Sequence, residues 1–369
     1  MNAPPLALEH LELDEHESEL MDDALVHTIL AIIVRYGGEG FTAWKDKLTA
    51  NQPKSSEIID VHKTTLHPLP AMEIDENTIT GNIEIIEEIN KELHLNTESQ
   101  DHTKYIKFIA GDQLTIARQR AIMTVRLGHE VGLEMWKHFT LITGLFHAKI
   151  ADCHGTLNTH FGVSSKRSPG SLAFHNTCLD RLPIVLTSLP SFRVCRDLIM
   201  VSLYARVLHC LLLVSGYNSL EAYAKHVQSW STLKTDAGLI FTTYASADHV
   251  QELREHRIAD TRQRELIVKA IEQAAKAKQP SVTPTPSLPP VLELRLQGDM
   301  VFENGCLFLR DALLTRLFAD AIKAGDSGLV VQVLKMWAFS YRGNGRTKYA
   351  HEMLHLLHNL VKVYSSNLR

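Results

Sequence analysis

The chain has 369 residues, 45% of them hydrophobic and 22% charged, so it is long enough for one large or two ordinary globular domains. Its formal net charge of −4 gives no general electrostatic attraction to nucleic acid or to an anionic membrane. Five widely spaced cysteines without a C-x-x-C pair indicate reduced thiols. We therefore expect an intracellular globular protein, cytoplasmic or nuclear, and no small-molecule substrate is identifiable.

The N-terminal segment resembles neither a signal peptide nor a membrane anchor. Residues 1–23 contain eight acidic residues and no Lys or Arg, which predicts a disordered acidic tail. A first helix is expected over Ala24–Tyr36. The most apolar segment, Leu198–Gly216, has the length of a membrane span, but Arg206 within it favours a buried helix because a charge in the bilayer is costly. No membrane partner is expected.

Two short segments predict a small β element. Tyr105–Ala110 is rich in residues that favour β-strands, is followed by a glycine and precedes a helix that starts near Ile116. His138–Thr143 is a second apolar segment that also ends at a glycine and precedes a helix. We therefore expect a mainly α fold with a small β element around residues 105–143, inside a domain covering residues 24–278.

The rest of that domain is predicted to be helical, over Phe192–Val214, Ser219–Ala245 and His249–Lys278. The last of these contains seven basic and five acidic residues. Because its charges nearly balance, the pattern favours a solvated or partner-facing helix over a stripe that binds DNA.

A proline-rich segment marks the one clear boundary. Residues 279–290 contain five prolines and predict an extended linker, since proline removes hydrogen-bond donors from helices and sheets. Residues 291–369 should then form a C-terminal helical unit that packs on the first domain. Within this unit we expect a bundle, because short connections favour antiparallel neighbours. Its predicted helices are Val301–Ala324, Ser327–Tyr341 and Arg346–Val363.

Asp112 is the first candidate catalytic residue, because it lies directly after the first predicted strand. Two-metal phosphoryl transfer requires a second acid that shares the ions, and Asp152 and Glu352 are the candidates. The segment after the second strand, Gly144-Leu145-Phe146-His147, supplies no acid. The alternative, which the capping preference of aspartate favours, is that Asp112 caps the helix that starts near Thr115.

Residues 351–355 match the zinc-protease pattern H-E-x-x-H. In that interpretation His351 and His355 ligate zinc and Glu352 is the general base. No Asp or Glu follows Glu352, and His358 lies about 10 Å further along the helix axis than His351, too far to complete the site. The favoured alternative is a packing helix, whose apolar stripe includes Ala350, Met353, Leu354, Leu357, Leu360 and Val361.

Several longer segments resemble a large family of uncharacterised proteins from mushroom-forming fungi, known only as a domain of unknown function. The resemblance covers about Asp22 to Arg369. The segments that carry it include GDQLT, GLFHAKIAD, FRVCRDLIMVSLYARVLHCLL, GDMVFEN and GNGRTKYA.

The resemblance implies descent from a transposase, because members of the family are typically longer and occur in many copies. Such a transposase of a mobile element would have a ribonuclease-H-like core. Asp112 would match the first acid of that core. The chain departs from the family pattern in three ways: no acid follows the second strand, members continue beyond Arg369, and members commonly have Tyr in place of His351. The resemblance therefore implies a truncated and inactive copy.

The expected fold is mainly α with a small β element, with a degenerate ribonuclease-H-like core implied by the resemblance. The leading hypothesis is a non-catalytic or degenerate transposase-like protein that associates with nucleic acid or protein and needs no cofactor. The first alternative is a magnesium-dependent nuclease or transferase centred on Asp112. The second is a zinc hydrolase that uses His351, Glu352 and His355.

Overall fold

The computed structural model describes residues 3–60, 62–95, 102, 104–128, 136, 138–277 and 298–365. Within these residues the chain forms thirteen α-helices and two β-strands, so a mainly α fold with a small β element is confirmed. The proline-rich segment 279–290 lies outside the described residues, and the linker stays a prediction.

The helices are numbered here in chain order. They are α1 Glu15–Tyr36, α2 Lys45–Ala50, α3 Ile79–Glu92, α4 Gln113–Val125, α5 Leu145–His160, α6 Leu172–Cys178, α7 Phe192–Ser215, α8 Leu220–His226, α9 Trp230–Tyr244, α10 Ala247–Ala277, α11 Met300–Ala324, α12 Ser327–Gly343 and α13 Thr347–His358. A π-helical turn, Asn359–Val363, extends α13.

The two strands, β1 Lys107–Gly111 and β2 Phe139–Thr143, form a parallel pair connected through α4. Lys107 is opposite Phe139 and Gly111 is opposite Thr143. Isoleucines of α3 and α4 pack with apolar residues of β2 and form the core of this β-α-β element. The buried members of the core are Ile86, Ile116, Ile122, Trp136, Phe139 and Leu141.

Two helical boundaries differ from the sequence prediction. Helix α1 begins at Glu15, so residues 15–23, which the sequence assigned to the disordered tail, are helical. The single helix predicted over 219–245 is two helices, α8 and α9, because Val227 is extended between them. Ser219 and Ser229 each accept a backbone hydrogen bond at the start of one helix, which is the usual N-cap role of serine.

The chain divides into two compact units that differ from the linear division predicted at the proline segment. Unit 1 contains residues 1–21, 54–155 and 318–369, and unit 2 contains residues 22–53 and 156–317. The difference arises because segments distant in sequence pack together. In unit 1, for example, the Tyr341 hydroxyl donates to the Ala148 carbonyl oxygen at 2.7 Å, and both residues are buried.

Helix α7 lies in unit 2. It is long and apolar enough to cross a membrane by length and composition alone. In the structure it packs against α6 and α9, and its fully buried residues follow helical spacing, as predicted for a core helix. These residues are Cys195, Leu198, Ile199, Leu203, Val207 and Leu211.

Candidate functional site

The carboxyl ends of β1 and β2 lie side by side in unit 1, and a helix starts directly after each strand. The Gly144 amide donates to the Gly111 carbonyl oxygen at 2.7 Å, which extends the pairing past the end of β2. A Cβ atom on Gly144 would lie 3.1 Å from that oxygen, so glycine permits the close approach of the two backbones. This edge of a parallel sheet is where α/β proteins commonly bind ligands.

Asp112 is the N-cap of α4, as the capping alternative predicted. Its Oδ1 atom accepts the Thr115 backbone amide at 2.7 Å. That backbone hydrogen bond lowers the pKa of Asp112, and the Thr115 side chain and the nearby His147 lower it further, against the opposing effect of burial. The carboxylate is therefore charged and holds the first turn of the helix that follows β1.

Glu352 of α13 is buried, with 5% of its surface exposed. Its Oε2 atom accepts the Thr143 hydroxyl at 2.6 Å and also accepts the Arg120 guanidinium. Thr143 is the last residue of β2, and Arg120 belongs to α4. One carboxylate thus connects three elements of unit 1, and two charge-assisted hydrogen bonds compensate for its burial.

Tyr349 lies one helical turn before Glu352 and is partly buried. Burial raises the pKa of the Tyr349 phenol, and the negative charges of Asp112 and Glu352 raise it further, whereas Arg346 lowers it. Both carboxylates are therefore near the Tyr349 phenol.

Asp152 is placed differently from the other two candidate acids. It lies in α5, eight residues after Gly144 and so about 12 Å along the helix axis from the strand end. It is buried and lies near Tyr341, whose pKa is raised mainly by burial and also by the Asp152 charge. Its neighbour is therefore a buried tyrosine of α12, away from the end of β2.

The two histidines of the H-E-x-x-H pattern have different surroundings. His351 is exposed, whereas His355 is partly buried. Burial lowers the pKa of His355, and the Arg120 charge lowers it further. In the part of the chain that the structure describes, no three His, Cys, Asp or Glu side chains are grouped so that they could hold a metal ion. The zinc and magnesium assignments stay predictions.

Three residues of this site were missed by the sequence analysis: Arg120, Thr143 and Tyr349. Arg120 and Thr143 lie 232 and 209 residues from the carboxylate that binds them, so no local pattern connects them. Tyr349 could have been found from the sequence, because it lies three positions before Glu352 and residues with this spacing share one face of a helix.

A family model matches residues 1–369, the full length of the chain. The chain belongs to DUF6589, a family of unknown function. No curated protein and no solved structure matches the chain. Membership in DUF6589 therefore identifies the family without supplying an activity, and any function has to be argued from the residues themselves.

Proposed function

We propose that this DUF6589 protein is a non-catalytic, degenerate transposase-like protein that acts by association with another protein chain. The observation that carries the proposal is that two of the three candidate catalytic acids are held by hydrogen bonds within the fold. Asp112 caps α4, and Glu352 is bound by Arg120 and Thr143. A carboxylate that accepts hydrogen bonds from its own fold has fewer lone pairs for a metal ion.

The residues that follow β2 support the proposal that the site at the sheet edge is degenerate. Where a second acid would be useful, the chain has Gly144, whose backbone lies against Gly111, and then Leu145, the first residue of α5. A Cβ atom on Gly144 would lie 3.1 Å from the Gly111 oxygen, so a side chain there would require the two backbones to shift slightly apart. This close backbone packing supports the proposal that the site is degenerate.

Helix α10 supports association. Its 31 residues extend over about 46 Å. Among its large apolar side chains, Ile258 is 53% exposed and Leu266 is 67% exposed, and they lie two turns apart on one side of the helix. The helix has six acidic and six basic residues. Balanced charge favours a protein surface over a phosphate backbone, which is bound by an excess of Lys and Arg.

The distribution of charge along α10 indicates which partner to test first. Residues 247–256 contain three acids and one base, a net charge of −2, whereas residues 257–269 contain four bases and two acids, a net charge of +2. Two copies of α10 in antiparallel orientation would place these segments against each other. A second copy of the same chain is therefore the partner that charge complementarity favours.

Sedimentation velocity over a range of protein concentrations tests this proposal. We expect reversible dimerisation of the wild type, weakened at least tenfold in the double variant Ile258→Glu/Leu266→Glu. Gln263→Glu, an exposed polar position of the same helix, is the matched control and should dimerise more strongly than the double variant. Circular dichroism verifies that each variant is folded.

A wild type that remains monomeric throughout would contradict the proposal. So would a Gln263→Glu variant that is as impaired as the double variant. Salt-sensitive retention of DNA or RNA in a gel shift, without dimerisation, would assign nucleic acid as the partner instead.

One observation favours a second candidate, the magnesium-dependent nuclease or transferase. Asp112 and Glu352 both lie near Tyr349, which places two acids around one residue at the sheet edge. The test is Mg²⁺-dependent cleavage of labelled DNA by the wild type and by Asp112→Asn, which keeps the cap but loses the charge. Turnover that disappears in this folded variant would replace the first proposal.

A further inference from the structure

A cavity of about 480 Å³ lies in unit 1 between α4, β2 and the π-helical turn after α13. Sites for small organic molecules typically measure about 300–1,000 Å³ and combine a mostly apolar lining with a few polar groups. The cavity is therefore large enough for a small organic ligand, and its lining decides which chemistry it fits.

One wall of the cavity is apolar. Phe139 and Leu141 of β2 and Met123 of α4 form its base, and Leu127 and Val363 form its rim. Leu127 is 67% exposed and Val363 is 50% exposed. A hydrocarbon or aromatic group in the cavity would remove part of this apolar surface from water, which is favourable by about 25 cal/mol for each Å² covered.

The lining of the cavity also contains polar groups and one cationic side chain, which is paired with Glu352. Arg120 is the one lining residue, among those that the structure describes, with a permanent charge. Burial lowers the pKa of His355 and raises the pKa of the Tyr364 phenol, so both side chains are neutral near pH 7. Asn359 adds an amide group.

Arg120 retains hydrogen-bonding capacity beyond its pair with Glu352. The guanidinium has five N–H donors, and one nitrogen binds the Glu352 carboxylate. Its Nε atom has no hydrogen-bond partner within the described residues but is buried, so a ligand would have to reach another part of the guanidinium. Since the side chain is 29% exposed, the charge remains accessible to a second anion.

We propose that this cavity binds a small amphipathic organic anion. The hydrocarbon or aromatic body lies on the apolar wall formed by Met123, Phe139 and Leu141. The carboxylate, sulfonate or phosphate group lies towards Arg120. This binding site does not depend on the association proposed for α10.

The test uses two fluorescent probes with closely related bodies, the anionic 8-anilinonaphthalene-1-sulfonate and the uncharged N-phenyl-1-naphthylamine. We expect the anionic probe to bind with one molecule per chain and at least tenfold more tightly than the uncharged probe. Thr124→Trp should fill the cavity from its exposed rim and weaken binding of the anionic probe at least tenfold. The matched control is Val125→Trp, next in sequence and 76% exposed but not part of the lining, which should bind like the wild type.

A second variant keeps the test decisive if Thr124→Trp does not fold. Leu127→Gln changes an exposed rim residue and should weaken binding several-fold without loss of helical circular dichroism. Equal binding of the anionic probe by the wild type and by the folded rim variants would overturn the proposed site. Equal binding of the two probes would overturn the assignment of an anion.

Discussion

His138 makes the stability of unit 1 sensitive to acid. It directly precedes β2 and is 5% exposed, and neither of its ring nitrogens has a hydrogen-bond partner within the described residues. Its ring contacts those of His102 and Phe139, with centroid distances of 5.0 and 4.2 Å. Burial lowers the pKa of His138 to about 4, and the charges of Lys107 and His102 contribute to the shift.

The size and sign of the effect follow from the two protonation states. In the unfolded chain His138 has an ordinary pKa of 6.5, and in the folded protein its pKa is about 4. Above pH 6.5 both states are neutral and the histidine adds no pH dependence. Between pH 6.5 and about 4 only the unfolded chain binds the proton, so stability falls by about 1.4 kcal/mol per pH unit, or about 3 kcal/mol in total. Below pH 4 both states are protonated and the loss stops.

The perturbation that isolates this effect is His138→Phe, which keeps an aromatic ring and removes the titrating group. The free energy of unfolding is measured by urea denaturation at intervals from pH 7 to pH 4 for the wild type and the variant. The wild type should lose about 3 kcal/mol more than the variant over this range. His16→Gln, at an exposed position of α1, is the control and should lose as much as the wild type. Equal losses in the wild type and in His138→Phe would refute the reasoning.

Three further predictions concern the sheet edge. Glu352→Leu leaves the Arg120 guanidinium and the Thr143 hydroxyl without their acceptor and should lower the free energy of unfolding by about 2–4 kcal/mol. Glu352→Gln keeps an acceptor and should lower the free energy of unfolding by about half as much. Equal stability of the Leu variant and the wild type in urea denaturation would contradict this prediction. Gly144→Ala places a Cβ atom 3.1 Å from the Gly111 oxygen and should lower the free energy of unfolding by about 1–3 kcal/mol. An unchanged free energy of unfolding would mean that the two strand ends are not closely packed. Tyr349→Phe should remove a phenol whose pKa is raised above its ordinary value of 10, visible as the difference between the ultraviolet pH titrations of the wild type and the variant. Because burial is the largest cause of this shift, a difference curve centred below pH 10 would contradict the buried environment of the phenol.

The parts of the fold that were predictable from sequence are those set by local physics. The strand predictions at 105–110 and 138–143 correspond to β1 and β2, because an apolar segment that ends at glycine is a local pattern. The role of Asp112 as a helix cap was predictable for the same reason, since the bond to Thr115 spans three residues. The helix predicted over 249–278 corresponds to α10.

The rest depended on contacts between distant segments. Glu352 was a candidate catalytic or zinc-site residue on a segment for which a packing helix was favoured, and its hydrogen bonds with Arg120 and Thr143 had no signal in the sequence. A proline-rich segment predicts a boundary along the chain, whereas the compact units join residues 54–155 with residues 318–369. Local patterns cannot report which distant segments share a core.

If the acids that resemble catalytic residues are structural, replacing Asp112 with alanine must lower the stability of the fold. The measurement is the free energy of unfolding of Asp112→Ser and Asp112→Ala relative to the wild type. Serine can accept the Thr115 amide as the carboxylate does, so Asp112→Ser should stay within about 0.5 kcal/mol of the wild type, while Asp112→Ala should lose about 1 kcal/mol. An Asp112→Ala variant that is as stable as the wild type, or more stable, would contradict the account, because an acid held for catalysis commonly costs the fold stability.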